Sequence, residues 1–173
     1  MSRFEIKTDR LRLVPNGPEF LDSTNEYALD YETAKYMMHL PNENSEETLE
    51  FLKGCECEWA KDSPEAYEFA ILFEGVHIGG LCLYPDDGSA EIGWILNKKY
   101  QKRGFALEAA RALIDYYVSN FGIRHFYAHC DTENEASYKL MERLGMTRTC
   151  TNSGRKNRSS SKESFEYQYE LFF

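Results

Sequence analysis

The stretch from residue 90 to residue 130 constrains the chain most. Ala90–Asn97 (AEIGWILN) is apolar and strand-like, and Ile123–Cys130 (IRHFYAHC) is strand-like again. Between them Ala106, Ala109, Ala110, Leu113, Ile114 and Tyr117 keep the helical period over 105–121. Gly122 suits the left-handed position that ends a helix. A strand, a helix and a strand joined by short connections form a right-handed crossover. Strands 90–97 and 123–130 are therefore predicted to lie parallel in one sheet.

The rest of the pattern builds around that unit. Tyr67, Phe69, Ile71 and Phe73 alternate, Glu74-Gly75 turns the chain, and Val76, Ile78, Leu81 and Leu83 follow, which is a hairpin signal. Pro85-Asp86-Asp87-Gly88 leads into strand 90–97, so three antiparallel strands form a meander. Phe4, Ile6, Leu11, Leu13 and Val14 predict an opening strand interrupted near Thr8–Arg10. Residues 18–62 read as helical with a break at Leu40-Pro41-Asn42, and Ser45 is the expected N-cap of the second helix. Residues 134–144 read as a further helix, with Thr132 and Glu135 as its expected capping box. Asn152–Ser164 is polar and is expected to be a mobile hairpin loop, and Phe165, Tyr167, Tyr169 and Leu171 alternate as a final strand.

Composition bounds the function. At 173 residues the chain is expected to be a single domain over 1–173. Acidic residues outnumber basic ones 29 to 20, a formal charge of −9. That is the wrong sign for a nucleic-acid footprint or an anionic membrane, and it would attract cationic molecules. No stretch has the length of a membrane span, and the charges at Arg3, Glu5, Lys7, Asp9, Arg10 and Arg12 leave no apolar signal core. Five unevenly spaced cysteines then argue for reduced thiols and a cytoplasmic location. Cys55-Glu56-Cys57 lacks companions at zinc-site spacing, so no metal is expected.

The chemistry concentrates in Trp94–Leu107 (WILNKKYQKRGFAL). A strand ends, a loop carries Lys98, Lys99, Lys102 and Arg103, and a helix begins at Gly104. The first amides of a helix have no internal partner, and the macrodipole makes that end positive. Gly104 and Ala106 let an anion approach the backbone closely, which describes a pyrophosphate cradle. The P-loop and dinucleotide-binding glycine patterns are both missing.

With its flanking motifs, the chain resembles the GNAT superfamily of acyl-CoA-dependent N-acetyltransferases, and within it the RimJ/RimL branch. Thr8-Asp9-Arg10-Leu11-Arg12-Leu13 looks like that branch's opening strand, and Ala90-Glu91-Ile92-Gly93-Trp94 like its central strand. Gln101-Lys102-Arg103-Gly104-Phe105-Ala106 resembles the acyl-CoA motif and is followed by Glu108-Ala109, as in the branch. Asn134-Glu135-Ala136-Ser137 with Leu144-Gly145-Met146 resembles the last motif.

The resemblance implies a mixed α/β fold: a mostly antiparallel sheet with one splayed parallel pair and helices on both faces. It implies acetyl-CoA as co-substrate and direct transfer of an acetyl group to a primary amine, either a protein N-terminus or a small molecule. Gln101, Lys102, Arg103, Gly104, Phe105, Ala106 and Leu107 would hold the pyrophosphate. The backbone of Trp94, Ile95 and Leu96 would hold the pantetheine arm, with Asn134 beside it. Glu91 is the candidate base, since a carboxylate near the acyl carbonyl can take the amine's proton. An amide near Ile95 would receive the oxyanion if the strand splays or bulges. Where many members carry a tyrosine to protonate the thiolate, this chain has Met141. Ser137 shares a helical stripe with Met141 and is preferred to Tyr138, which is assigned to a more solvent-like face. The alternative function is a silent acyl-CoA-binding module, and the oligomeric state is expected to be monomer or homodimer.

Overall fold

A computed structural model describes residues 4–173, so Arg3 lies outside the described residues. The interrupted opening strand is β1 (Ile6–Lys7) and β2 (Leu11–Pro15), folded back on each other with Ile6 opposite Leu13. Residues 18–62 are less continuous than expected. They give a 3-10 turn at Pro18–Phe20, then α1 (Leu21–Ala28), the single turn α2 (Tyr31–Ala34) and α3 (Ser45–Trp59). Asn44, not Ser45, caps α3: its side chain accepts from the Glu47 N–H, while Ser45 is already the first helical residue. The meander is β3 (Tyr67–Phe73), β4 (Val76–Asp86) and β5 (Ser89–Leu96). The crossover helix α4 spans Phe105–Phe121 and ends on Gly122 with φ +68°. β6 (His125–Asp131), α5 (Glu135–Arg143), β7 (Thr147–Arg155) and β8 (Ser164–Phe172) complete the chain. The expected capping box is not made. Asn134 caps α5 by accepting from the Ser137 N–H, and the Thr132 N–H donates to the Phe165 carbonyl instead.

Among the described residues eight strands form one sheet in the order β1-β2-β3-β4-β5-β6-β8-β7. Every pairing is antiparallel except β5 with β6, which is parallel. That parallel pairing covers only Ser89↔His125, Ala90↔Phe126 and Glu91↔Tyr127. Beyond it the strands fork. β5 stays on β4 through Leu96↔Gly79, while β6 stays on β8 through Asp131↔Glu166. Gly79 makes the close β4–β5 approach feasible at the fork, since a Cβ there would stand 2.3 Å from the Ile95 carbonyl oxygen.

α4 and α5 cover one face, over Leu81, Leu83, Ile92 and Phe126, all at most 2% exposed. α1 and α3 cover the other, where the Tyr27 hydroxyl sits over Gly80 and Cys55 and Cys82 each lie near Glu68. Side chains directly opposite share a face, so Glu91, Gly93 and Ile95 lie on the α1/α3 side together with Tyr127, His129 and Asp131. All five cysteines are free.

The segment expected as a mobile loop is anchored. β7 runs to Arg155, and Arg155 and Asn157 are 9% and 6% exposed. The Arg155 guanidinium donates to Asn157 Oδ1 (2.8 Å), Glu166 Oε2 (2.5 Å) and the Tyr36 carbonyl (2.8 Å). Asn157 Nδ2 and Ser164 Oγ both donate to Asp131 Oδ2 at 2.6 Å. Arg158 pairs with Glu47, and Ser159 Oγ donates to the Lys35 carbonyl. Arg155 and Arg158 therefore clip this run to residues 36–47, where a polar composition alone suggests solvent.

Candidate active site

A cleft of about 360 Å³ passes through the fork. Its wall on the α4/α5 side includes Lys102, Gly104, Phe105, Ala106, Leu107, Asn134 and Ser137, and β5 contributes Trp94, Ile95 and Leu96. Its wall on the opposite face includes Thr33, Tyr36, Met37, His129 and Arg155.

The cradle is formed by backbone conformation. Lys102 and Gly104, which both line the cleft, adopt left-handed φ, +62° and +79°, a backbone form that lets successive amides converge on an anion. No side chain caps this helix start. Gln101 turns the other way, and its Nε2 donates to the Leu96 carbonyl (3.0 Å), holding the end of β5. Arg103 does not line the cleft: its guanidinium lies over the rings of Phe73 and Phe105, 5.2 and 4.9 Å from their centroids.

The opening-strand motif is explained at this helix start. Thr8 Oγ1, the Arg10 N–H and Arg10 Nε all donate to the carboxylate of Glu108, at 2.5, 3.0 and 2.7 Å. Arg10 also donates to the Arg103 carbonyl. Burial raises the Glu108 pKa, but these bonds outweigh it and hold the group below its ordinary value. A carboxylate in the first turn of α4 is thus tied back by Thr8 and Arg10.

Strand alternation sets which backbone groups face the gap. The Asn97 N–H bonds the Ile78 carbonyl, and the β4–β5 register then runs to Ser89 without a shift. Asn97, Ile95 and Gly93 therefore direct their N–H and C=O toward β4, while Leu96 and Trp94 direct theirs toward the fork. Of the amides near Ile95, that of Ile95 itself faces β4, because β5 carries no bulge against that strand, while those of Trp94 and Leu96 face the cleft.

At the other end, Glu91 does not line the cleft but His129 does, and Glu91 Oε1 lies 2.8 Å from His129 Nδ1. His129 Nε2 is 3.3 Å from Gln168 Oε1. The bond to Glu91 raises the His129 pKa above its ordinary value despite burial, and Glu166 adds to the rise. Ser137 lines the donor wall and its side chain hydrogen-bonds the Cys130 thiol, whose pKa burial raises to about 11. Asn134 is both the α5 cap and a cleft residue. Tyr138 is not on a solvent face: its ring packs edge-on against Tyr167, 5.6 Å between centroids, and away from the cleft.

Sequence reasoning missed His129 as Glu91's partner, the Tyr36–Met37 and Arg155 wall, and the cations Lys139 and Arg143 beside Lys102. The parallel crossover was a usable signal for the first, since it places Glu91 beside the strand carrying His129. The other residues come from chain segments that only the tertiary fold brings together.

A family model described as Acetyltransferase (GNAT) domain matches residues 10–147. The chain belongs to the GNAT acetyltransferase family. Consistent with that, it is 31% identical over 143 residues to an uncharacterized N-acetyltransferase, YnaD, of Bacillus subtilis, covering 79% of this chain and 80% of that protein. Among solved structures it resembles a GNAT-family acetyltransferase from Bacillus anthracis (TM-score 0.84, 25% identity, 98% of both chains). It shares its fold with a Salmonella typhimurium acetyltransferase that modifies the N-terminal serine of ribosomal protein L7/L12 (TM-score 0.86, 18% identity, 98% and 99% covered). A RimL structure holding coenzyme A has the same fold at TM-score 0.87, 18% identity and 98% coverage of both chains. The GNAT assignment makes this chain an acetyltransferase, and its mixed sheet with one parallel pair and helices on both faces is the fold expected of it. No helix among the described residues is long and apolar enough to cross a membrane, and no group of three or more His, Cys, Asp or Glu among them is placed to hold a metal.

Proposed function

We propose that this protein is a single GNAT domain that transfers an acetyl group from acetyl-CoA directly to a primary amine. The observation that carries the reading is one cleft joining an uncapped helix start on one face to a carboxylate–imidazole pair on the other. Donor and acceptor can then meet from opposite sides of the sheet.

Acetyl-CoA supplies the activated acyl group. The amides from Lys102 to Leu107 receive the pyrophosphate, and Lys102, Lys139 and Arg143 add positive charge along that wall. The Trp94 and Leu96 backbone offers hydrogen bonds to the pantetheine arm, and Asn134 lies beside its path. Either amide can also stabilise the oxyanion. Glu91 provides the negative charge that draws the proton from the acceptor ammonium, and Ser137 is the hydroxyl able to hand one to the departing thiolate.

Glu91, Glu166 and Asp131 gather on the acceptor side, a field that favours a cationic amine. Protein N-termini and small amines both meet this requirement, and the RimL-type neighbours, which act on a protein N-terminus, support the former. Calorimetry with acetyl-CoA, followed by thiol release against peptides and small amines, tests the reading. Binding with release on one amine class is expected; no binding would overturn it.

A further inference from the structure

We infer that His129, held by Glu91, is the group that accepts the proton from the acceptor ammonium, with Glu91 acting on it as a positioning and charge-stabilising residue. The inference rests on the amine-transfer reading above and names the proton acceptor within that site.

Three observations carry it. First, His129 forms part of the cleft wall and Glu91 does not: the Glu91 side chain is 37% exposed, against 24% for His129, but it opens outside the cleft, with its Oε1 2.8 Å from Nδ1. A proton leaving an amine in the cleft meets the imidazole before the carboxylate. Second, that bond fixes the tautomer: Nδ1–H donates to Glu91 Oε1, so the lone pair is on Nε2. Third, Gln168 Oε1 stands 3.3 Å from Nε2, placed to accept from that nitrogen once it is protonated. The surroundings thus favour the imidazolium that proton transfer creates. The groups facing His129 are Glu91 on β5, Gln168 and Glu166 on β8, and Tyr127 on its own strand, with ring centroids 5.7 Å apart. Arg155 offsets Glu166 by pairing with it.

The step balances. One ammonium proton moves to His129 Nε2, which frees the nitrogen lone pair to bond the acyl carbon. The C–S bond breaks, the thiolate takes a proton from the Ser137 hydroxyl, which regains one from the amine nitrogen, and His129 releases its proton to solvent.

The test compares wild type, His129→Gln and Glu91→Gln, using acetyl-CoA with two probes. One is a serine-initiated tripeptide. The other is hydroxylamine, whose conjugate acid is a far stronger acid than an alkylammonium, so that it is largely uncharged at neutral pH and above; its uncatalysed cleavage of the thioester is subtracted with a no-enzyme blank. Coenzyme A affinity and melting temperature of each variant check that it is folded. His129→Gln is expected to lower kcat/KM for the tripeptide by about 10²–10⁴-fold, with a much smaller loss for hydroxylamine. With the tripeptide, the His129-dependent rising limb of the wild-type kcat profile should lie above the ordinary histidine value, move to lower pH in Glu91→Gln, and be lost in His129→Gln. An unchanged profile and equal losses on both probes in His129→Gln would overturn this inference alone. Absence of thiol release from wild type with both probes would overturn the amine-transfer reading, and this inference with it.

Discussion

Arg155 offers a direct measurement of how much the anchored 155–160 segment contributes. Its guanidinium is nearly buried and makes three hydrogen bonds, one to the Glu166 carboxylate. Arg155→Met keeps much of the aliphatic stem and removes all three. Glu166 is then left with a largely covered, unpaired charge, its side chain only 19% exposed. Breaking one side of a buried ion pair costs about 3–5 kcal/mol, and the residual exposure of Glu166 argues for the low end, about 3 kcal/mol. At about 2–4 °C per kcal/mol for a chain of this size, the melting temperature should fall by about 6–12 °C. Adding Glu166→Leu removes the stranded charge and should recover part of the loss. Thermal melts followed by circular dichroism give both numbers. A fall under about 2 °C for the single variant, or no recovery in the double, would refute the reasoning and return the segment to the surface-loop class.

Other outcomes follow from the cradle and from one buried histidine. Gly104→Glu puts a side chain on a residue at φ +79° and a negative charge in the phosphate site, so calorimetry should show coenzyme A affinity reduced at least about tenfold; unchanged affinity would move the site elsewhere. Arg10→Ala removes the guanidinium and leaves Glu108 to Thr8 Oγ1 and the backbone N–H of residue 10 beside the cradle, and coenzyme A should bind several-fold more weakly, more so at low salt. His77 is buried, its Nδ1 2.7 Å from Ser23 Oγ and its Nε2 2.8 Å from the Gly79 carbonyl, and burial depresses its pKa to about 4. Because the unfolded chain binds that proton near pH 6.5 and the folded one does not, stability should decline as pH drops from 6.5 toward 4. The ring resonance of His77 should stay in its neutral position over that window, and titration at the ordinary value would contradict the burial argument.

The legible parts of the sequence were those where local pattern and tertiary outcome agree. α4 emerged with the limits its apolar period predicts, because Gly104 and Gly122 mark both ends by chain conformation. The β3–β4–β5 meander and the parallel pair followed from turn residues and crossover handedness. The cradle was legible for the same reason, being backbone geometry written as Gly104 and its neighbours. What escaped depends on register and on distant segments. Nothing local pairs Glu91 with His129, and nothing in NSGRKNRSSSKES says that Arg155 meets Glu166 and the Tyr36 carbonyl. The helix starts misled for a related reason. Asn44 is the cap of α3 because its side chain, one residue upstream of the helix, accepts the orphan Glu47 amide, whereas Ser45 already lies inside the first turn; at α5 the same role falls to Asn134, two residues after Thr132.

The three-residue seam between β5 and β6 divides the sheet mechanically. On one side stands a tile of β1–β5; on the other, a tile of β6, β8 and β7. α4 is the covalent strap from one tile to the other, and the Arg155 clip ties the second tile to residue 36 on the first tile's helical side. Whatever spans the fork therefore touches both tiles at the place where the sheet itself supplies fewest crosslinks. Occupancy should register far from the cleft, as slower amide exchange in β8 and β4 alike, because a bridged seam opens as one body rather than two.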